Sequence, residues 1–140
     1  MNKDQKKLLE FARSLIGTPY KYAAKPEEIP MALDCSSFTQ TVFSKIEVRL
    51  ERSTLLQATQ GKEVLAFEQA QPGDLLFFRG SKGHYNDELF PGKEMYIGHV
   101  AIYLGGTQAI HASSPQGVIE EDVNSIIKTR GPIVLIKRML

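Results

Sequence analysis

The sequence predicts an α+β domain in which N-terminal helices pack on a small antiparallel β-sheet. Apolar residues recur at helical spacing over 3–16 and again behind Asp34. Short runs rich in β-branched and aromatic residues follow in the second half, at 74–78, 99–104, 109–112 and 133–136. Helices first and strands afterwards favour separate helical and sheet layers. We expect one domain over 1–140, because 140 residues is an ordinary domain length.

The first helices carry their own start and stop signals. Gly17 and then Thr18-Pro19 end the first helix, with Gly past the last turn and Pro just beyond. Asp34 is a good N-cap for the second helix, since its carboxylate accepts a hydrogen bond from a free backbone N–H. A short third helix is predicted within 50–60. Between the first two helices, the proline-containing segment from Tyr20 to Leu33 is expected to be an irregular loop.

The strand candidates surround one long connection. The segments 99–104 and 109–112 form a predicted hairpin across Gly105-Gly106. Arg79 to Ile97, rich in Gly, Lys and Tyr, is predicted to be a long surface loop, and it contains His84.

Composition excludes several classes of protein. Lys plus Arg total 17 and Asp plus Glu 16, so the net charge of +1 offers no large basic surface for nucleic acid. No apolar run approaches the roughly 20 residues that span a bilayer, so no membrane association is expected. No signal-peptide core follows the N-terminal lysines. We therefore expect a cytoplasmic protein, or an extracellular one if the domain belongs to a larger exported chain.

Cys35 is the single cysteine, which excludes a disulfide scaffold and a CxxC metal site. A lone free cysteine is most often a small core residue. Cys35 instead follows the predicted N-cap, where the helix dipole and free N–H groups lower a thiol pKa. The same N–H groups are suited to hold an oxyanion. We therefore interpret Cys35 as a candidate nucleophile.

A cysteine nucleophile needs a base, usually histidine, which a third polar group orients. His84 is interpreted as a solvated loop side chain, whereas His99 and His111 open and close the predicted hairpin. A plain two-residue turn would place these two side chains on opposite faces of the sheet. We predict an odd register or a bulge that brings both imidazoles to one face.

Seven motifs occur in a recognisable order along nearly the whole chain: Thr18-Pro19-Tyr20, Asp34-Cys35-Ser36, Arg52-Ser53, Gln57, Pro72-Gly73-Asp74-Leu75, Gly98-His99-Val100-Ala101-Ile102-Tyr103-Leu104-Gly105 and Ile110-His111-Ala112. Together they resemble the NlpC-type cell-wall cysteine peptidase family, whose fold is a reduced form of papain. The Asp-Cys-Ser motif and the run that begins with Gly98-His99 are the specific ones. Pro-Gly-Asp alone would be a weak signal.

The resemblance implies a role for each site residue. Cys35 would be the nucleophile, His99 the general base and acid, and His111 the group that orients His99. Tyr20 would help form the oxyanion or substrate site. Asp34 and Ser36 would help bind the free amine of an L-Ala-γ-D-Glu stem peptide, although Asp34 can equally be a helix cap alone. Arg52 is taken as a surface cation.

The resemblance also implies the reaction and the partner. The bond cut in the family joins D-γ-glutamyl to a diamino acid, so the expected partner is a peptidoglycan-derived peptide (muropeptide). No metal or cofactor is implied, and we expect a monomer.

The sequence departs from the family pattern at three places. Ala23-Ala24 replaces a Gly-Gly pair, which is costly if the loop needs positive φ. Ser37 stands where Gly is common and is expected to narrow the entrance. The loop over 79–97 is long enough to reshape the cleft.

Alternative functions stay open at this stage. The same acyl-enzyme would serve an amidase or an acyltransferase on another substrate. Cys35, His99 and His111 are also acceptable zinc ligands. A third possibility is a catalytically inactive peptide-binding module.

Overall fold

A computed structural model describes residues 1–80, 88–92 and 95–140. The described helices are α1 (Lys3–Ser14), α2 (Cys35–Ser44), α3 (Thr54–Gln57) and α4 (Val123–Arg130). The described strands are β1 (Lys62–Glu63), β2 (Leu75–Phe78), β3 (His99–Gly105), β4 (Gln108–Ser113), β5 (Gly117–Asp122) and β6 (Ile133–Arg138). The strands form one antiparallel sheet in the order β1-β6-β2-β3-β4-β5, which confirms the α+β prediction.

The predicted elements are present, and four further ones were not predicted, one of them a short 3-10 helix over Phe67–Gln69. α1 ends at Ser14, two residues before the predicted end, and α3 occupies four residues of the predicted 50–60 segment. β1, β5 and α4 had no predicted counterpart. His84, with the central part of the predicted 79–97 loop, lies outside the described residues.

Apolar side chains cover both faces of the sheet. α1 and α2 pack on one face, where the buried residues include Leu8, Leu9, Phe38, Val42, Phe77, Val100, Ile102, Ile110 and Ala112. α4 packs on the other face, where they include Leu76, Phe78, Ala101, Tyr103, Ala109, Val123 and Ile126. Within the described part of the chain, no helix has the length and apolar character needed to cross a membrane.

The register of the β3–β4 hairpin confirms the predicted placement of the two histidines. Ile102 pairs with Ile110 and Tyr103 with Ala109, and the register shifts between Tyr103 and Gly105. This irregularity supplies the extra residue that a plain two-residue turn would lack. Because side chains alternate along a strand, His99 and His111 project from the same face of the sheet.

The loop before α2 keeps a backbone conformation that favours glycine. Ala23 has φ 54°, a value at which an L side chain is strained. Ala24, the next residue, is 3% exposed and does not have positive φ. The departure from Gly-Gly therefore leaves one strained alanine on the surface of the loop.

We expect Ala23→Gly to raise the free energy of unfolding by about 0.5–1 kcal/mol, because glycine adopts positive φ without the Cβ clash. Ala24→Gly is the matched control and should lower it, since this buried methyl group is lost with no strain relieved. Urea denaturation followed by circular dichroism measures both. An equal loss of stability in the two variants would show that Ala23 is unstrained.

Candidate active site

A capping box at the start of α2 fixes the position of Cys35. The Asp34 carboxylate accepts a hydrogen bond from the Ser37 backbone N–H at 2.8 Å, and the Ser37 hydroxyl oxygen accepts one from the Asp34 N–H at 2.9 Å. This confirms the predicted N-cap. Ser37 is completely buried, so the expectation that it narrows the entrance is wrong. Its hydroxyl instead fixes the backbone turn that presents Cys35.

Arg52 forms a two-pronged ion pair with the same carboxylate. Its Nη2 donates to Asp34 Oδ2 at 2.6 Å and its Nη1 to Oδ1 at 3.1 Å. The guanidinium also donates to the Ala24 carbonyl at 2.7 Å, while the Ala24 N–H donates to Asp34 Oδ2 at 3.1 Å. The sequence-based view of Arg52 as a surface cation is therefore wrong. Arg52 ties the 20–33 loop to the start of α2.

The Asp34 carboxylate is ionised in this setting. Burial raises the pKa of Asp34, but the Arg52 guanidinium and the Ser37 N–H outweigh it and hold that pKa below its usual value. Ser36 belongs to the same network, since its hydroxyl donates to Asp34 Oδ1 at 3.2 Å and accepts from Arg52 at 2.9 Å. Both predicted amine-binding residues are thus adjacent to Cys35, and their binding of substrate stays a prediction.

The Cys35 thiol lies between α3 and the first residues of β3. Its Sγ is 3.4 Å from Thr54 Oγ1, and the backbone N–H groups of Val100 and Ser36 lie near enough to act on the thiol pKa. Among the described contacts, no hydrogen bond joins Sγ to an imidazole. Burial raises the pKa of the Cys35 thiol, the Asp34 charge raises it further, and the three donors act in the opposite direction. The expected lowering by the helix start is therefore outweighed.

A chain of hydrogen bonds links the two histidines to a carboxylate on β5. His99 Nε2 is 2.7 Å from His111 Nδ1, and His111 Nε2 is 2.9 Å from Glu121 Oε1. A carboxylate only accepts, so the His111 proton is on Nε2 and its Nδ1 accepts from His99 Nε2–H. This assignment leaves His99 Nδ1 unprotonated, which is the state that a general base requires.

Burial favours the neutral form of both imidazoles. Burial lowers the pKa of His99 well below its usual value, and the neighbouring charges of His111 and Arg130 lower it further. Burial also lowers the pKa of His111, although the hydrogen bond and charge of Glu121 act against it. Burial therefore favours a neutral thiol and a neutral imidazole over a thiolate–imidazolium pair in the unliganded site.

Tyr20 lies beside the segment that leads into α2. It is half-buried and forms a backbone bridge to Leu33, immediately before the helix cap. Burial raises the pKa of Tyr20, and the charges of Cys35 and Asp34 raise it further. The structure thus brings Tyr20 into the electrostatic range of the thiol, as an oxyanion role would require. That role itself stays a prediction.

The sequence predictions missed three residues of the site: Thr54, Glu121 and Arg130. Thr54 follows the N-cap Ser53, which was a readable helix start. Glu121 and Arg130 lie on the unpredicted β5 and α4. Asp122 as N-cap, with Lys128 and Arg130 in the last turn before Gly131, would have revealed α4.

The zinc alternative finds no support in the arrangement of side chains. Within the ranges 1–80, 88–92 and 95–140, no group of three or more His, Cys, Asp and Glu residues is placed to hold a metal ion. The imidazole nitrogens that face each other are joined by a direct hydrogen bond.

Comparison with known proteins identifies the family. A model of the NlpC/P60 family matches residues 17–131, which is most of the chain. The chain belongs to the NlpC/P60 family. The fold agrees, because the solved NlpC/p60 domain of the peptidoglycan hydrolase SagA superposes with a TM-score of 0.74 at 30% identity. That comparison covers 99% of this chain and 100% of that one.

Two curated relatives of this NlpC/P60 domain are named for hydrolytic activities. A probable endopeptidase of Haemophilus influenzae is 36% identical over 110 residues, covering 78% of this chain and 59% of the relative. The gamma-DL-glutamyl hydrolase of Bacillus subtilis is 36% identical over 111 residues, covering 77% of this chain and 23% of the relative. The NlpC/P60 domain thus spans less than two thirds of either protein.

We expect Arg52→Gln to lower the free energy of unfolding by about 1–2 kcal/mol at pH 7. This range is modest because the guanidinium is partly exposed and solvent screens its charge. The variant leaves the buried Asp34 charge without its partner. The Asp34 pKa is lowered in the folded state. The ionised carboxylate therefore stabilises the fold fully above roughly pH 4, and this stabilisation is lost as the pH falls further.

The difference between wild type and Arg52→Gln should therefore be smaller at about pH 3, below the ordinary pKa of an aspartate, than at pH 7. Urea denaturation at both pH values measures it. Arg49→Gln is the matched control, since Arg49 is exposed and forms no side-chain ion pair within the described residues. A pH-independent difference would contradict the assigned charge pair.

Proposed function

We propose that this NlpC/P60 domain is a cysteine peptidase that cleaves the D-γ-glutamyl–diamino acid bond of peptidoglycan stem peptides. The observation that carries the proposal is the hydrogen-bonded chain from Glu121 through His111 to His99. Val100, the residue after His99, lies near enough to Cys35 for its backbone N–H to lower the thiol pKa. The similarity to a gamma-DL-glutamyl hydrolase supports the choice of bond.

The first half of the proposed reaction forms a thioester. Cys35 Sγ attacks the γ-carbonyl carbon while its proton passes to His99 Nδ1, so the thiol turns from Thr54 toward the imidazole. Such catalytic contacts are often long in the unliganded enzyme and shorten when substrate binds. The tetrahedral intermediate then collapses, His99 returns the proton to the leaving amine, and the C–N bond breaks.

The second half uses water as the nucleophile. His99 takes a proton from water, the hydroxide adds to the thioester carbonyl, and the C–S bond breaks as the thiol is reprotonated. The products are the γ-glutamyl acid and the free diamino acid amine. Each oxyanion would receive hydrogen bonds from the backbone at the start of α2 and from the Tyr20 hydroxyl.

Glu121 has a defined part in this mechanism. It holds the His111 proton on Nε2, which keeps His111 Nδ1 as an acceptor and leaves His99 Nδ1 free to act as the base. When His99 becomes protonated during the attack, the polarised His111–Glu121 pair stabilises the imidazolium. Glu121 is therefore a positioning residue that acts through two imidazoles.

We expect Glu121→Ala to reduce kcat/KM on the order of 10²-fold, the usual worth of a correctly positioned acid–base group. The matched control is Glu120→Ala, because Glu120 is the next residue on β5 and forms only an exposed ion pair with Arg13. Steady-state kinetics on a stem peptide measure both. Equal rates for the two variants would remove Glu121 from the mechanism.

The proposed activity is tested by incubating the protein with muropeptides and identifying the products by mass spectrometry. We expect cleavage after γ-D-glutamate, releasing a peptide with a new N-terminal diamino acid. Cys35→Ala is the control and should release nothing, since it lacks the nucleophile. Cleavage at another amide would contradict the proposed bond, and equal product with Cys35→Ala would contradict the proposed chemistry.

A further inference from the structure

Arg130 places a guanidinium on the same side of the sheet as the two imidazoles. It is the last residue of α4, and its Nη2 donates to Ser113 Oγ at 3.0 Å and to the Ser114 carbonyl at 3.3 Å. Ser113 is two residues beyond His111 on β4, so both side chains project from one face. The Arg130 backbone carbonyl accepts a hydrogen bond from Gly80 N–H, which holds the end of α4 in place.

The charge of Arg130 has no counter-charge in the described structure. Three of the other described arginines pair with carboxylates, Arg13 with Glu120, Arg52 with Asp34 and Arg138 with Asp74, whereas Arg49, which is exposed, and Arg79 do not. Arg130 forms no such pair, and its buried Nε has no hydrogen-bond acceptor among the described residues. A half-buried guanidinium without a carboxylate partner keeps its charge available to an anionic ligand.

The field of Arg130 reaches the reactive centre. Its charge acts on His99, His111 and Tyr20, and in each case it lowers the pKa of the group. Through its hydrogen bond to Ser113, the guanidinium lies on the side of the sheet that carries His99 and His111. A bound anion would neutralise this charge at the moment when His99 has to accept a proton.

We propose that Arg130 is a specificity-determining residue that binds a carboxylate of the substrate beside the scissile bond. The inference rests on the proposed function, because that substrate carries two candidate carboxylates. One is the α-carboxylate of the D-glutamyl residue, on the acyl side of the bond. The other is the carboxylate of the diamino acid, on the leaving side. A planar guanidinium recognises either one by charge-assisted hydrogen bonds.

Affinity measurements in a Cys35→Ala background test the carboxylate site without turnover. The probes are the tripeptide L-Ala-γ-D-Glu-L-Lys, its D-isoglutamine form and its C-terminal amide. We expect one of the two amidated peptides to bind about 10–100-fold more weakly than the unmodified tripeptide (the acid), because it loses a charge-assisted hydrogen bond. Adding Arg130→Met should weaken binding of the acid by a similar factor and abolish the discrimination between acid and amide.

Two further variants separate recognition from folding. Lys128→Met changes an exposed cation on the same helix turn and should leave the discrimination intact. Arg130→Lys keeps the charge without the planar fork and should retain part of the discrimination. Discrimination that survives in Arg130→Met, or its absence in the Cys35→Ala parent, would overturn the proposal.

A cleavage assay with the same peptides, using protein that retains Cys35, separates this inference from the proposed function. Cleavage without Arg130-dependent discrimination would overturn the role of Arg130 and leave the peptidase proposal standing. Discrimination that depends on Arg130, in a protein that cleaves none of the peptides, would overturn the hydrolysis proposal. The carboxylate site would then belong to a peptide-binding module.

Discussion

The Asp34 carboxylate joins the three segments that surround the reactive thiol. Its two oxygens accept hydrogen bonds from the backbone of α2, from Ala24 in the preceding loop and from the Arg52 guanidinium before α3. Cys35 projects from the helix turn that this carboxylate caps, and Thr54 contacts its Sγ from the start of α3. The geometry around the thiol therefore depends on one buried, ionised side chain with its full set of donors.

Much of the fold was predictable because its signals are local. The N-cap at Asp34, the apolar face of α1 and the strands β2, β3, β4 and β6 each show within a short window of sequence. The pairing of His99 with His111 was also predictable, because it follows from the alternation of side chains across one turn. Both inferences needed only neighbours along the chain or across a single hairpin.

The remaining features depend on contacts that no short window contains. β5 carries acidic residues after Val118 and Ile119, so its alternation is weak and Glu121 had no predicted partner. α4 is rich in β-branched residues and is stabilised by packing on the sheet more than by propensity. Burial of Cys35, which reverses the pKa effect expected from the helix start, is likewise set by residues distant in sequence.

The irregular β3–β4 turn links folding to the alignment of the two imidazoles. Ile110 and Ala112 are fully buried against the helical layer, while His111 between them projects from the opposite face. A shift of the β3–β4 register by one residue would move the Ile110 and Ala112 side chains to the opposite face of the sheet. The same shift would turn His111 away from His99. The same register therefore buries the apolar side chains and brings the two imidazoles together, so a chain that packs this hairpin also forms the His99–His111 hydrogen bond.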